Sequence, residues 1–113
     1  MKNFVLTIFF LASISFANAQ DVKWLSFEKA IELNKKNPKP IIIDIYTDWC
    51  GWCKKMDNST FKNADVVRQM NKYFYAVKLD AEMTAPITYN NHTFTNPNPE
   101  PVKGRRGTHQ LAA

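Results

Sequence analysis

With 113 residues the chain has room for one domain, and its apolar fraction of 45% and charged fraction of 22% are ordinary for a folded globular protein. The formal net charge is +5, but the basic residues are scattered along the chain and are not concentrated among aromatic residues. This distribution argues against a nucleic-acid-binding protein and predicts a solvated basic surface.

Residues 1–19 are typical of a secretory signal peptide. Lys2 gives a positive start, Phe4–Phe16 is an apolar run, and Ala17–Ala19 has the small-x-small form of a cleavage site. The run is shorter than the roughly 20 residues that a transmembrane helix needs, although an uncleaved anchor is the alternative. We therefore predict that residues 20–113 form the folded domain, periplasmic or secreted, with no membrane span after cleavage.

The first predicted elements of the domain alternate between strand and helix. The segment Val22–Leu25 alternates, which predicts a short edge strand. Ser26 is suited to cap an amphipathic helix, which is predicted to end at the Asn-Pro-Lys-Pro of residues 37–40. Ile41–Tyr46 is nearly all apolar and β-branched, which predicts a central strand buried on both faces.

The segment Cys50–Asp57 is predicted to be a helix that begins at the first cysteine. Asn63 is suited to cap a further helical turn, and Tyr73–Leu79 has the pattern of the next strand. Two strands joined by a helix usually form a right-handed parallel pair. The order of elements therefore predicts an α/β domain with a central sheet flanked by helices.

The composition changes after Ala81, where Asn, Thr and Pro become frequent. We predict loops in this part of the chain, with one small hairpin whose turn is Asn90-Asn91. Thr108 is suited to cap a helix that would begin at His109.

The two cysteines of the chain, Cys50 and Cys53, have two residues between them and lie where a strand-like run meets a predicted helix start. Disulfide exchange needs one thiolate that attacks and a second thiol that releases the mixed disulfide. Unpaired N–H groups at a helix start stabilise a thiolate, so we expect the pKa of Cys50 to fall from about 8.5 toward or below about 7. Cys53 is predicted to stay protonated until it resolves the intermediate.

Zinc binding and a purely structural disulfide are the alternatives to a redox role for this cysteine pair. Zinc needs about four ligands, and the other candidates, His92 and His109, have sixteen residues between them, whereas compact zinc motifs have about three to five. A purely structural disulfide between Cys50 and Cys53 would close a very small loop and constrain the unfolded chain little. The redox role is therefore favoured, and no metal is predicted.

The sequence Ile43–Met56 (IDIYTDWCGWCKKM) resembles the active-site region of the thioredoxin superfamily. Thr60-Phe61 and Val77–Asp80 resemble in particular the exported thioredoxin-like proteins of bacteria. The resemblance implies a thioredoxin-like fold with Cys50 as nucleophile and Cys53 as resolving thiol. It also implies thiol-disulfide exchange with protein thiols and disulfides, with no cofactor other than the cysteines.

The resemblance also implies roles for residues around the cysteines. Trp49 matches the family's aromatic residue that shields the site and helps form the substrate-facing surface; ordinary core packing is the alternative. Asp44 matches the family's buried acid, which assists deprotonation of the second cysteine; a capped or edge-exposed Asp44 is the alternative. Gly51 and Trp52 stand where Gly-Pro is commoner, so the direction of electron flow is open.

The family's cis-proline loop, its last two strands and its final helix have no clear counterpart before Ala113. The sequence therefore predicts an incomplete thioredoxin-like fold that lacks these parts. The leading functional hypothesis is an exported thiol-disulfide oxidoreductase, more a reductant than a disulfide donor, fed by a membrane-bound electron donor. The competing hypotheses are a binding module with a static disulfide and a thiolate metal carrier.

Overall fold

The computed structural model describes residues 20–113, and the predicted signal peptide 1–19 lies outside the described residues. Strands and helices alternate through the first two thirds of this region, and a short hairpin follows. The elements are β1 (Trp24–Leu25), α1 (Phe27–Lys36), β2 (Ile41–Tyr46), α2 (Gly51–Asn58), a 3₁₀ turn (Thr60–Lys62), α3 (Ala64–Tyr73), β3 (Tyr75–Asp80), β4 (Ile87–Tyr89) and β5 (His92–Phe94).

The main sheet has three parallel strands in the order β1-β3-β2. Alternate side chains of β3 point to opposite faces, so Val77 packs with Phe27 of α1 while Ala76 packs with Val67 of α3. Helices therefore cover both faces of β3, as predicted for an α/β domain. The sheet and its helices have the form of an incomplete thioredoxin-like fold.

The two predicted helix caps are present. The Ser26 hydroxyl accepts a hydrogen bond from the Lys29 N–H at 3.1 Å, and the Asn63 side chain accepts from the N–H groups of Asp65 and Val66 at 3.0 and 3.2 Å. These bonds satisfy backbone donors that the first turn of a helix leaves unpaired. Local capping chemistry thus sets where α1 and α3 begin.

The helix after Asn63 is longer than predicted, since α3 runs to Tyr73. β3 consequently begins at Tyr75, two residues later than the sequence pattern indicated. Pairing explains the shift, because Tyr75 is the first β3 residue aligned with β2, opposite Ile41. The Phe74 N–H meanwhile bonds back to the Met70 carbonyl and closes the helix.

The prediction that Ile41–Tyr46 is a central strand buried on both faces is wrong for the described part of the chain. β2 lies at the edge of the sheet, and Ile42, Ile43 and Ile45 are 37%, 39% and 46% exposed. Within residues 20–113 β3 alone pairs with β2, so one edge and much of both faces stay open. A continuous apolar run predicts burial correctly only when neighbours cover it on every side.

The segment after β3, residues 81–113, folds back toward the sheet, and we call it the arm. The hairpin of β4 and β5 is confirmed, with Asn90 and Asn91 in the left-handed conformation that a two-residue turn requires. The His109 N–H donates to the Ala81 carbonyl at 2.7 Å, and the Gln110 N–H donates to the Thr95 carbonyl at 2.9 Å. These long-range bonds hold the arm against the end of β3.

The predicted helix beginning at His109 is wrong, because residues 110–112 form only a turn. His109 is fully buried, its Nε2 lies 3.0 Å from the Ala85 carbonyl, and its Nδ1 accepts a hydrogen bond from the Leu111 N–H at 3.2 Å. The N–H and the Nε2 of His109 thus contact the carbonyl groups of Ala81 and Ala85, which are distant in sequence. A capping pattern is local and does not reveal such contacts.

Candidate redox site

The site lies in the connection between the end of β2 and the start of α2. Thr47 accepts a hydrogen bond from the Cys50 N–H at 3.2 Å through its carbonyl, which turns the chain, and Cys50 becomes the N-cap residue of α2. Cys50 and Cys53 form a disulfide with a Cα–Cα distance of 5.3 Å. The structure therefore joins the two cysteines at the start of a helix, where the sequence places them.

The Cys50 Sγ lies at the start of α2, where backbone N–H groups have no partner within the helix. The Cys50 Sγ accepts a hydrogen bond from the Cys53 N–H at 3.2 Å. A thiolate at the same position would keep this donor and gain from the helix dipole. The space around Gly51, the residue after Cys50, is open, since a Cβ at that position would meet no atom of non-neighbouring residues within 4 Å.

Two tryptophans stand beside the two cysteines. Trp49 is 51% exposed and Trp52 is 75% exposed, so neither is an ordinary core residue. The Trp49 indole N–H donates to the Glu82 carboxylate at 2.8 Å, which fixes the ring against the end of β3. The exposed rings and the open side of Gly51 make a broad surface next to the disulfide.

Asp44 lies in β2, where its register partner in β3 is Lys78. The Lys78 Nζ lies 2.7 Å from the Asp44 carboxylate and also contacts the Asp57 carboxylate of α2. The Asp44 side chain is 14% exposed, so a charge there needs the partner that Lys78 provides. Lys78 therefore links Asp44 of β2 to Asp57 of α2, the helix that contains Cys53.

Burial acts to lower the pKa of Lys78, but hydrogen bonds and charge attraction from Asp44 and Asp57 outweigh it, and the pKa of Lys78 is raised. The ammonium is also surrounded by aromatic rings, with the centres of Trp24 and Tyr46 at 4.8 and 5.2 Å. Burial, together with the nearby carboxylates, raises the pKa of Tyr46. Lys78 is therefore held as an ammonium among these carboxylates and rings.

Sequence reasoning missed three residues of the site: Lys78, Glu82 and Arg105. The sequence does contain a signal for Lys78. Asp44 and Lys78 are polar residues within two predicted apolar strands, and parallel pairing of these strands aligns them. Arg105 lies far along the chain, yet its guanidinium carbon is 4.1 Å from the centre of the Trp49 ring. A contact at that sequence separation has no local signature.

Residues 20–113 contain neither a cluster of metal-ligating side chains nor a membrane-spanning helix. No three His, Cys, Asp or Glu side chains in that region are grouped as a metal site would need. None of the helices in the same region has the length and apolar character needed to cross a bilayer.

The curated relatives that match the chain include proteins named for disulfide chemistry. The "Thiol:disulfide interchange protein DsbD" of Vibrio vulnificus (strain CMCP6) is 32% identical over 65% of this chain and 12% of its own length. The "Disulfide bond reductase DsbH" of Chlamydia pneumoniae is 29% identical over 55% of this chain and 38% of its own length. "Spermatogenesis-associated protein 20" of Mus musculus is 32% identical over 54% of this chain and 8% of its own length.

The chain thus spans about an eighth of the Vibrio protein that it matches. No solved structure matches the chain. The family described as "Thioredox_DsbH: Protein of unknown function, DUF255" matches residues 12–96, which is most of the sequence and includes both cysteines. The chain belongs to this Thioredox_DsbH family.

Proposed function

We propose that the chain is a thiol-disulfide oxidoreductase that exchanges disulfides with protein thiols through Cys50 and Cys53. The observation that carries this proposal is the Cys50–Cys53 disulfide at the start of α2, beside two exposed tryptophans. The names of the DsbD and DsbH relatives support the same chemistry. Trp49, Gly51 and Trp52 are proposed to form the surface that receives the substrate.

In the reducing direction, the Cys50 thiolate attacks one sulfur of a substrate disulfide. A Cys50–substrate disulfide forms, and the other substrate sulfur leaves as a thiolate that takes up a proton. Cys53 then loses its proton and attacks the Cys50 Sγ, which releases the second substrate sulfur and forms the Cys50–Cys53 disulfide. Two electrons pass from the protein dithiol to the substrate, and the proximity of Cys53 makes the second step effectively intramolecular.

We propose that Asp44 assists the second step by accepting the proton of Cys53. Its support is the ion pair of Asp44 with Lys78, which also contacts Asp57 of α2. The ammonium would hold the carboxylate in place and compensate its charge between turnovers. Asp44 is therefore assigned a role in proton transfer, while Lys78 is assigned a positioning role.

The direction and location of the reaction are also proposals. The printed name "disulfide bond reductase" of one relative favours a reductant, and a reductant needs a dithiol donor that restores Cys50 and Cys53. A membrane-bound electron donor would supply this dithiol if the chain is exported. The signal-peptide pattern of residues 1–19 supports a periplasmic or secreted location.

Trapping of the mixed disulfide tests this function. Reduced Cys53→Ala protein should accumulate a covalent adduct with a disulfide-containing protein such as insulin, whereas Cys50→Ala protein should accumulate none. The wild-type protein should catalyse insulin reduction in the presence of a dithiol. A wild-type protein without this activity, and a Cys53→Ala variant without adducts, would favour the static-disulfide module; stoichiometric metal in the reduced protein would favour the metal carrier.

A further inference from the structure

Each tryptophan next to a cysteine carries a cation on its ring. The Arg105 guanidinium carbon lies 4.1 Å from the centre of the Trp49 ring, and the Lys55 Nζ lies 4.9 Å from the centre of the Trp52 ring. Trp49 precedes Cys50 and Trp52 precedes Cys53. Each tryptophan that precedes a cysteine of the disulfide is therefore paired with a cation, Lys55 of α2 for Trp52 and the distant Arg105 for Trp49.

The local backbone holds Arg105 in position. Val102 and Arg105 exchange two backbone hydrogen bonds of 2.8 and 3.1 Å across a tight turn, which we call the Arg105 hairpin (Val102–Arg105). Lys103 and Gly104 form its turn with φ of 51° and 78°, as a two-residue hairpin turn requires. The Arg105 side chain thus reaches Trp49 from a hydrogen-bonded turn of the backbone.

The base of the Arg105 hairpin is also anchored. The Asn96 amide donates to the Gly107 carbonyl, at 2.6 Å, and the Gly107 N–H donates to the Asn98 carbonyl at 2.8 Å. Asn96 is buried, so these bonds are protected from exchange with water. The position of Arg105 over Trp49 is therefore built into the fold of the arm.

Both stacked cations keep hydrogen-bond donors for a partner. Within residues 20–113, no carboxylate pairs with Arg105 or with Lys55. A guanidinium that stacks by its face retains edge N–H groups that match a carboxylate. The acids nearest to these cations in sequence are Asp57, which contacts Lys78, and Glu100, which is exposed. Beside the Trp49 ring, the Glu82 carboxylate accepts the indole N–H.

We propose that these two cations, with exposed Lys54, form a basic rim that selects protein disulfides lying in acidic segments. The proposal rests on the proposed function and adds the class of substrate. Acidic side chains flanking a substrate disulfide would meet Arg105 at Trp49 and Lys55 at Trp52. Lysine or arginine at the same substrate positions would be repelled.

Three matched peptides test the proposal, each with one disulfide and with acidic, neutral or basic flanking residues. The rate at which reduced full-length protein reduces each peptide is followed by chromatography at low and high ionic strength. At low salt the acidic peptide should be reduced about tenfold faster than the basic peptide. This ratio should approach one at about 1 M salt, where charges are screened beyond about 3 Å.

Charge-reversal variants identify the residues responsible. Arg105→Glu and Lys55→Glu should each lower the acidic-to-basic ratio at least about threefold, and Arg105→Lys should keep most of it. Lys36→Glu is the matched control, because it changes the net charge equally at the far end of α1. That end adjoins the start of β2, and a six-residue strand separates it from the disulfide by roughly 20 Å.

Three outcomes are informative. A lower ratio in Arg105→Glu with an unchanged ratio in Lys36→Glu supports the proposal, provided circular dichroism shows that both variants fold. Equal ratios in all variants, or equal losses in Arg105→Glu and Lys36→Glu, overturn it while leaving the proposed function intact. Failure of the wild-type protein to reduce even the neutral peptide overturns the proposed function and this inference together.

Discussion

Asp44 and Lys78 are register partners on adjacent parallel strands, and the Lys78 ammonium lies 2.7 Å from the Asp44 carboxylate. The same ammonium contacts Asp57 on α2. One lysine therefore connects the sheet to the helix that carries both cysteines. Two carboxylates and one ammonium meet in this partly buried place. Loss of the lysine would therefore leave the two carboxylates close together without a cation.

We expect Lys78→Met to lower the free energy of unfolding by about 1–3 kcal/mol, because Asp44 would lose its charged partner in a largely buried position. Urea unfolding at pH 7 measures this change. Lys62→Met is the matched control, since Lys62 pairs with Asp21 where the two side chains are 57% and 75% exposed. The control should change stability by about 0.5 kcal/mol or less. Equal effects would contradict the assigned role of Lys78.

The same pair predicts a dependence on high pH. The pKa of Lys78 is raised above its ordinary value of 10.5, so protonation is favoured in the folded state. The stabilisation is fully present below that ordinary pKa and is lost as the pH rises through the higher folded pKa. The stability difference between wild type and Lys78→Met should therefore be constant near neutrality and shrink above about pH 10.5. A difference that grew in that range would refute the assignment.

Asp44→Asn should slow the release of the substrate from its mixed disulfide with Cys50, because Cys53 would lose its proposed proton acceptor. We expect at least a roughly hundredfold decrease in the rate of this step, because a general base typically contributes about 10²–10⁴-fold. Stopped-flow measurement of release from a preformed mixed disulfide gives the rate directly. Asp48→Asn removes an exposed acid from the flank of the site, and its rate on a neutral peptide should stay within about twofold of wild type. Equal rates in all three proteins would remove Asp44 from the mechanism.

Gly51 and Gly107 should differ in their response to replacement by alanine. A Cβ at Gly107 would lie 2.7 Å from the Asn98 Cβ and 3.1 Å from the Asn96 side-chain oxygen. Gly107→Ala should therefore displace the base of the Arg105 hairpin and lower stability by about 1–3 kcal/mol. Gly51→Ala meets no atom within 4 Å and should change stability by about 0.5 kcal/mol or less. Thermal unfolding of both variants, compared with wild type, tests the contrast.

Thr47 offers a test of packing under the site. Its hydroxyl is buried and has no hydrogen-bond partner among residues 20–113. Thr47→Val keeps the branched shape and removes the unpaired hydroxyl, so stability should be unchanged or higher by about 1 kcal/mol. Thr47→Ala removes the packed methyl group as well and should be less stable than Thr47→Val. A clear loss of stability in Thr47→Val would indicate a hydroxyl partner.

Local rules predicted much of the fold. Ser26 and Asn63 cap their helices, the Asn90-Asn91 turn closes its hairpin, and α2 begins one residue after the expected Cys50, which is its N-cap. Each of these features depends on residues within a few positions of one another, where the sequence pattern and the physical cause coincide. The location of the cysteine pair at a helix start was predictable for the same reason.

The features that the sequence did not predict depend on distant parts of the chain. Burial of β2 depends on which strands lie beside it, and the apolar run Ile41–Tyr46 does not contain that information. The residues after His109 form a turn, and the N–H and ring of His109 contact Ala81 and Ala85, which are distant in sequence. The stack of Arg105 on Trp49 likewise needs the whole arm to fold back. Long-range contacts therefore account for the errors in both the fold and the site.

The most direct test of the redox site is the pH dependence of Cys50 alkylation in reduced full-length protein. Iodoacetamide is added at a series of pH values, and mass spectrometry of peptides gives the rates for Cys50 and Cys53 separately. If the start of α2 stabilises a thiolate, Cys50 should react much faster than Cys53, with a half-maximal rate below about pH 7.5. A Cys50 that titrates near pH 8.5, like a free thiol, and reacts no faster than Cys53 would contradict the account.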